Sequence, residues 1–260
     1  MALNKWRIKR NIGSLSKDLP IIVYKTIDST NTQAKLAAES GKYKNAVFVA
    51  SEQTAGRGRL GRSFISERGK GLYLSILLGG GFSPDFATSL TTYMSVIASR
   101  AIDTLAGTDT KIKWVNDIYS GGKKLSGILT EGKASEDGKT LSYAVVGIGI
   151  NLLKQDFDCE VRKIATTLED ECGKKLDCSL LASLIVKSFF DNLALVGTGE
   201  IAEEYKRRSF LIGERVTVIK PTESYDAIVK DITDKCELLL ELTDGSEELL
   251  STGEVSVRKI

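Results

Sequence analysis

The chain has 260 residues, 42% of them hydrophobic and 27% charged, and a formal net charge of +2. That length supports a sizeable core with a small second domain, and the near-neutral balance excludes polyelectrolyte binding to nucleic acid or a membrane surface. The absence of histidine removes Ser–His and Cys–His catalysis, argues against zinc, and leaves carboxylates, lysines, arginines and bound ions to do any chemistry.

Residues 1–19 are polar and are expected to pack loosely along the first domain. The apolar run 20–24 predicts a first strand. Thr26-Ile-Asp-Ser-Thr-Asn31 then leads into a helix ending at Ser40, with Ser29, Thr30 or Asn31 as its N-cap and Gly41 beyond its end. The same hydroxyl and amide cluster suits hydrogen bonding to a small polar ligand, and the residues alone do not separate the two roles.

A buried strand over 46–50 runs into Ser51-Glu-Gln-Thr-Ala-Gly-Arg-Gly-Arg-Leu-Gly-Arg62. Glycines let backbone approach a ligand, and arginines offer planar, permanent cations for carboxylate or phosphate. The tract is expected to be mobile until an anion arrives; a merely solvated basic loop is the plain alternative. Its match to G-x-G-x-x-G is not a dinucleotide fingerprint, because a strand over 72–78 follows where a helix is required.

Gly79-Gly-Gly81 is expected to break the chain, and Ser83-Pro84 to start a helix through about Ala106. Two alternating runs, 110–119 and 123–131, flank Gly121-Gly122 and predict a β-hairpin. It carries Lys113-Trp-Val-Asn-Asp117 and Lys123-Lys124, a concentration of cation, amide and carboxylate that reads as functional rather than as edge-strand protection. In the strand 141–151, alternation puts Val146, Ile148 and Ile150 on one face and Gly147, Gly149 and Asn151 on the other. A face stripped of side chains meets close-packed backbone or leaves room for a ligand. Packing helices are expected near 166–171, over 179–196 and over 200–210. Short strands at 216–219, 226–229, 237–242, 247–250 and 255–260 predict a small SH3-type barrel. Four cysteines without C-x-x-C spacing (Cys159, Cys172, Cys178, Cys236) fit packing thiols in a reducing cytoplasm.

Gly56-Arg-Gly-Arg-Leu-Gly-Arg62, Lys113-Trp-Val-Asn-Asp117, Lys124-Leu-Ser-Gly-Ile-Leu129 and Gly147-Ile-Gly-Ile-Asn151 stand in the order found in biotin protein ligases. On these tracts the chain resembles that family over roughly residues 20–260. The resemblance implies an α+β fold: a catalytic domain like that of class II aminoacyl-tRNA synthetases, a mixed sheet flanked by helices, over 1–212, then an SH3-like barrel over 213–260. It implies activation of biotin by ATP and Mg²⁺ as biotinyl-AMP, then transfer to a lysine of a biotin carboxyl carrier protein. A carboxylate nucleophile is already ionised at neutral pH, so that first step needs cations and positioning rather than a base.

By the same resemblance, Ser29, Thr30, Asn31, Gln53 and Gly127 serve the biotin pocket, with Arg57, Gly58 and Arg59 closing over it. Arg59, Arg62, Phe64, Lys113, Asn116, Asp117 and Asn151 serve ATP and the adenylate. Lys124 bridges the biotin carboxylate and the phosphate, so Lys124 and Arg59 are the expected catalytic cations; Lys123 and Lys124 are not separable by spacing. The metal ligands are left open, as is a homodimer. Phe64 stands where the family often has tryptophan, and Val115 where proline is common, which is expected to loosen that turn. Too few residues precede the first strand for a helix-turn-helix, so no operator binding is expected. The rivals are a lipoate ligase, expected to show histidine in its glycine-rich tract, and a non-catalytic nucleic-acid or carrier-binding module.

Overall fold

The computed structural model describes residues 3–220, 222–251 and 256–259. Its first element corrects an expectation. Of the segment 1–19, the described residues 3–19 are not loose: α1 (Lys5–Ile12) is capped by the Asn4 side chain, which accepts from the Arg7 amide. Ile8 and Ile12, four apart and so on one helix face, are fully buried. That face packs on α6 (Cys178–Asp191), and Arg7 pairs with Asp177 at 2.6 Å.

β1 (Ile21–Tyr24), α2 (Thr30–Glu39) and β2 (Ala46–Ala50) follow as expected, with Ser29 as the N-cap of α2. β3 (Gly71–Phe82) does not stop at its three glycines; it runs on to Phe82 through a register shift after Gly79. α3 (Pro84–Ala106) ends on Gly107 in the left-handed conformation. The expected hairpin arm 110–119 is two strands, β4 (Lys111–Lys113) and β5 (Asp117–Ser120), folded on each other at Trp114-Val-Asn116. β6 (Lys123–Ala134) and β7 (Leu141–Asn151) complete a mixed sheet of order β1-β2-β3-β7-β6-β5-β4, in which β1 and β2 are parallel.

Side-chain alternation divides the two faces of this sheet. Val47, Val49, Leu72, Leu74, Ile76, Val146, Ile148 and Ile150 face a core shared with α1, α3, α6 (Cys178–Asp191) and α7 (Gly199–Arg208). Phe48, Leu77, Tyr143 and Val145 face Ala34 and Ala37 of α2 in a smaller cluster. Along β7 the α2 face therefore reads Tyr143, Val145, Gly147, Gly149. It is bulky where α2 covers it and bare beyond.

Two short helices join β7 to α6: α4 (Cys159–Ile164), for which the sequence reading has no element, and α5 (Leu168–Cys172). The Asp158 side chain caps α4 by accepting from the Val161 amide, a local D-x-x-V signal within a polar stretch. A second, antiparallel sheet of order β11-β10-β9-β8-β12 comprises β8 (Arg215–Ile219), β9 (Ser224–Ile232), β10 (Leu238–Leu242), β11 (Glu247–Leu250) and β12 (Ser256–Lys259). Val255 and Ile260, placed in the last strand by the sequence, lie outside the described residues. The two sheets share one continuous core. At their junction the buried Trp114 indole donates to the Cys236 carbonyl at 2.9 Å.

Candidate active site

A cleft of about 730 Å³ opens on the α2 side of the sheet, over the bare half of β7. Of the residues expected to bind ligand, Ser29, Thr30, Asn31, Gln53, Arg57, Gly58, Arg59, Arg62, Phe64, Lys113, Asn116, Asp117, Lys124 and Gly127 all line it. Asn151 does not. Its side-chain amide donates to the Thr166 carbonyl at 3.1 Å and sits buried at the end of β7. Its structural part is to hold the chain before α5.

The floor answers the question left by the glycine alternation. A Cβ on Gly147 would lie 2.0 Å from Asn31 Oδ1, and one on Gly149 would lie 2.6 Å from the Phe64 ring. The missing side chains make room first for two protein side chains, which in turn shape the cleft. At one end the groups are polar and uncharged. Gln53 Oε1 accepts from the Thr30 amide at 2.8 Å, and Gln53 Nε2 donates to Ser66 Oγ at 3.1 Å. Both N–H groups of the Asn31 amide face acceptors, Leu129 O and Glu131 Oε2, so its oxygen accepts from Ser75 Oγ at 2.6 Å.

The arginine tract is a built hairpin. Phe64 N donates to Gly56 O at 3.0 Å and Gly58 N to Arg62 O at 2.7 Å, with Arg57 bridged to Ser63. Leu60 (φ 56°) and Gly61 (φ 70°) make the left-handed turn at its tip. Arg59 reaches Asn116 Oδ1 at 3.4 Å. Burial pulls the Arg59 guanidinium below its ordinary value, against the raising influence of Asp117; an arginine so placed keeps its charge. Arg62 and Lys113 share this end of the cleft, and Lys113 Nζ lies 5.9 Å from the Tyr119 ring centroid.

Lys124 and Gly127 are three apart, which on a regular strand puts them on opposite faces. A bulge resolves this: Ile118 pairs with Ser126 but Tyr119 with Lys124, leaving Leu125 as the extra residue. Leu125 drops into the core at 0% exposure, and Lys124 joins Gly127 and Asp117 in the cleft. Lys124 Nζ lies 2.7 Å from Asp117 Oδ1, at a distance but not an angle for a hydrogen bond. Lys123 instead donates to Arg162 O at 2.8 Å, toward α4. The bulge thus puts Lys124, and not Lys123, in the cleft.

The turn between β4 and β5 is pinned from two sides despite Val115: Tyr205 Oη donates to Val115 O at 3.0 Å, opposite the Trp114 bond to Cys236. Sequence reasoning missed Phe210, which packs edge-on to Tyr119, and Lys163 and Ile164 of α4, all of which line the cleft. It also missed Glu131 and Ser75 beneath the floor. Of these, α4 had a local signal in its Asp158 cap; the others are joined to the site by tertiary pairing.

A mixed sheet with a ligand cleft of this kind, followed by a small antiparallel barrel, is the architecture of synthetase-like acyl-activating ligases. The sequence matches the biotin/lipoate A/B protein ligase family over residues 23–151 and the biotin protein ligase C-terminal domain over residues 211–258. The bifunctional ligase/repressor BirA of Bacillus subtilis is 31% identical over 236 residues, 89% of this chain and 72% of that protein. The biotin–[acetyl-CoA-carboxylase] ligase of Mycobacterium tuberculosis is 30% identical over 87% of this chain and 85% of that protein. The biotin protein ligase of Aquifex aeolicus, solved with biotin and ATP, superposes with a TM-score of 0.78 at 27% identity, covering 93% of this chain and 99% of that one. The chain belongs to the biotin/lipoate protein ligase family.

Proposed function

We propose that this chain is an ATP-dependent biotin protein ligase acting on the carrier domain of a carboxylase, with residues 1–212 as catalytic unit and 213–260 as barrel. The observation that carries the reading is one cleft with a neutral polar end (Ser29, Thr30, Asn31, Gln53), a cationic end (Arg59, Arg62, Lys113, Lys124) and a bare strip of β7 between them. An uncharged ureido ring suits the first end and a nucleotide phosphate the second.

In the first step a carboxylate oxygen of biotin attacks the α-phosphorus of ATP. The bond to the β-phosphate oxygen breaks, and pyrophosphate leaves with the electron pair. Lys124 and Arg59 hold the two anions together and stabilise the charge on the phosphoryl oxygens. Phe64 over Gly149 offers a ring face for the adenine. In the second step an acceptor lysine amine attacks the acyl carbon, AMP departs and one proton is released. The cleft holds a single carboxylate, Asp117, and no cluster of three potential metal ligands occurs among the described residues. Asp117 or Asn116 would offer the protein-side oxygens for a magnesium ion that enters with the nucleotide, where it would neutralise phosphate charge. The reading places the protein in the cytoplasm, as a monomer or homodimer, and includes neither operator DNA nor a membrane. No described helix is long and apolar enough to cross a bilayer.

The test is pyrophosphate release from MgATP with biotin or lipoate, for wild type and Lys124→Met. Biotin-dependent release that falls about 10²–10³-fold in the variant, the loss typical of one preorganised charge-stabilising donor, is expected. Release with lipoate alone moves the protein to the lipoate branch. Folded protein that releases none with either acid sinks the ligase reading.

A further inference from the structure

Beneath the neutral end of the cleft, Glu131 of β6 ties three side chains from two elements to one carboxylate. Its Oε2 accepts from Asn31 Nδ2 at 2.9 Å, while Oε1 lies 2.6 Å from Lys35 Nζ on α2 and 3.2 Å from the Arg57 guanidinium on the arginine hairpin. Its side chain is 18% exposed and does not line the cleft. Burial raises the Glu131 carboxyl, but hydrogen bonds from Lys35 and Asn31 and the charges of Lys35 and Arg57 carry it below the ordinary glutamate value, so it stays ionised.

The two cations are not equivalent. Lys35 is closer and 25% exposed, whereas Arg57 is more distant and 47% exposed. Arg57 is therefore the partner that can leave without stranding a half-buried anion, because Lys35 and Asn31 retain it. The Asn31 contact has the opposite character. The same amide is fixed by Leu129 O and by Ser75 Oγ, and Ser75 Oγ lies 2.7 Å from Thr30 Oγ1. Ser75 Oγ faces both the Asn31 oxygen and Thr30 Oγ1, and Thr30 Oγ1 donates to Gln53 Oε1 at 3.1 Å. Thr30, Ser75, Asn31 and Glu131 form one hydrogen-bonded cluster, and Arg57 stands at its edge.

We propose that Glu131 is a positioning residue that tethers the arginine hairpin, through Arg57, to the floor of the neutral subsite, so that one carboxylate sets both the Asn31 amide and the hairpin. A ligand seated on Thr30 and Asn31 then meets a hairpin already held across it. The naming of biotin as that ligand rests on the ligase reading; the tether does not.

Trypsin reads the tether directly, because the hairpin carries Arg57, Arg59 and Arg62 on an exposed segment. In ligand-free protein, cleavage within 57–62, located by mass spectrometry, is expected to run about fivefold faster in Glu131→Gln, the upper range for a part-exposed ion pair. Lys35→Met keeps the Arg57 contact and is expected to be cut no faster than wild type. Should Glu131→Gln fail to fold, Arg57→Gln supplies the second arm. Cleavage at Arg59 and Arg62 is expected to accelerate by a similar factor. Biotin affinity by calorimetry completes the cycle: Glu131→Gln and Arg57→Gln each weaken binding, and together they weaken it little more than either alone. Wild-type cleavage rates in Glu131→Gln or Arg57→Gln, equal acceleration in Lys35→Met, or additive losses of affinity overturn the tether. Wild-type protein that binds no biotin overturns the ligase reading and leaves the proteolysis result standing.

Discussion

Gly147→Ala tests the architecture of the floor more severely than any change to a charged residue. A Cβ there would sit 2.0 Å from Asn31 Oδ1 and 2.8 Å from its Cγ. Ordinary contact is near 3.5 Å, so Asn31 must withdraw by roughly 1.5 Å. Gly147 cannot retreat, because it pairs with Ser75 of β3 on one side and Leu129 of β6 on the other. Those same two residues hold the Asn31 amide, at 2.6 and 3.2 Å, with Glu131 as its third partner. Moving Asn31 therefore breaks three bonds in a buried setting, at about 1 kcal/mol each, or about 3 kcal/mol in all. For a chain of this size that is a fall in Tm of roughly 6–12 °C. Thermal or urea unfolding measures the loss, and calorimetry with biotin measures the accompanying collapse of affinity. The decisive arm is Gly147→Ala combined with Asn31→Ala. Removing the obstructing amide is expected to recover stability relative to Gly147→Ala, a coupling of about 1–3 kcal/mol. A Gly147→Ala protein within about 0.5 kcal/mol of wild type, or strictly additive losses in the double variant, would refute the steric reasoning.

Glu204 gives a pH dependence. Burial raises its carboxyl, but hydrogen bonds from Arg100 and Arg208, and their charges, carry it below the ordinary glutamate value. A depressed folded-state pKa contributes stability above the unfolded value, about pH 4.3, and that contribution is lost as pH falls through the folded value. Glu204→Gln is expected to cost about 1.5–3 kcal/mol at pH 7, by removing the charge that Arg100 and Arg208 share although Arg208 keeps Asp103 at 2.6 Å, and progressively less in acid; urea midpoints at pH 7 and in acid check this. Trp114→Phe removes the indole donor to Cys236 O and leaves that buried carbonyl unpaired, at about 1–3 kcal/mol, with the KM for ATP rising more than that for biotin in pyrophosphate release. Burial pushes the Cys178 thiol up to about 12 and the Cys236 thiol up to about 11, while Cys159 is exposed. Native protein is therefore expected to react quickly with a thiol reagent at Cys159 and to modify Cys178 and Cys236 only on unfolding; peptide mapping of the modified thiols decides it.

The sequence was legible wherever a local rule decided the outcome. Ser29 caps a helix in any fold, Pro84 opens one, and the alternation around Gly147 and Gly149 announced a bare face before its occupants were known. The unread parts follow from pairing between distant segments. The arm 110–119 looked like one strand because its alternation continues through Trp114, whereas Tyr205 and Cys236, some hundred positions away, anchor a turn there. Asn151 shares the parity of Gly147 and Gly149, and parity together with the family resemblance pointed it at the cleft; in the structure its amide donates to the Thr166 carbonyl. Lys124 is the reverse case. Strand parity separates it from Gly127, and the bulged Leu125, buried at 0% exposure, reunites them. Burying a leucine outweighs keeping a regular ladder, since a fully buried side chain contributes about 1.5–3 kcal/mol and a bulge leaves one residue unpaired. The position of Lys124 in the cleft is thus set by an apolar neighbour. Replacing Leu125 with a polar residue would remove the reason for the bulge, and with it the reason Lys124 faces Asp117 at all.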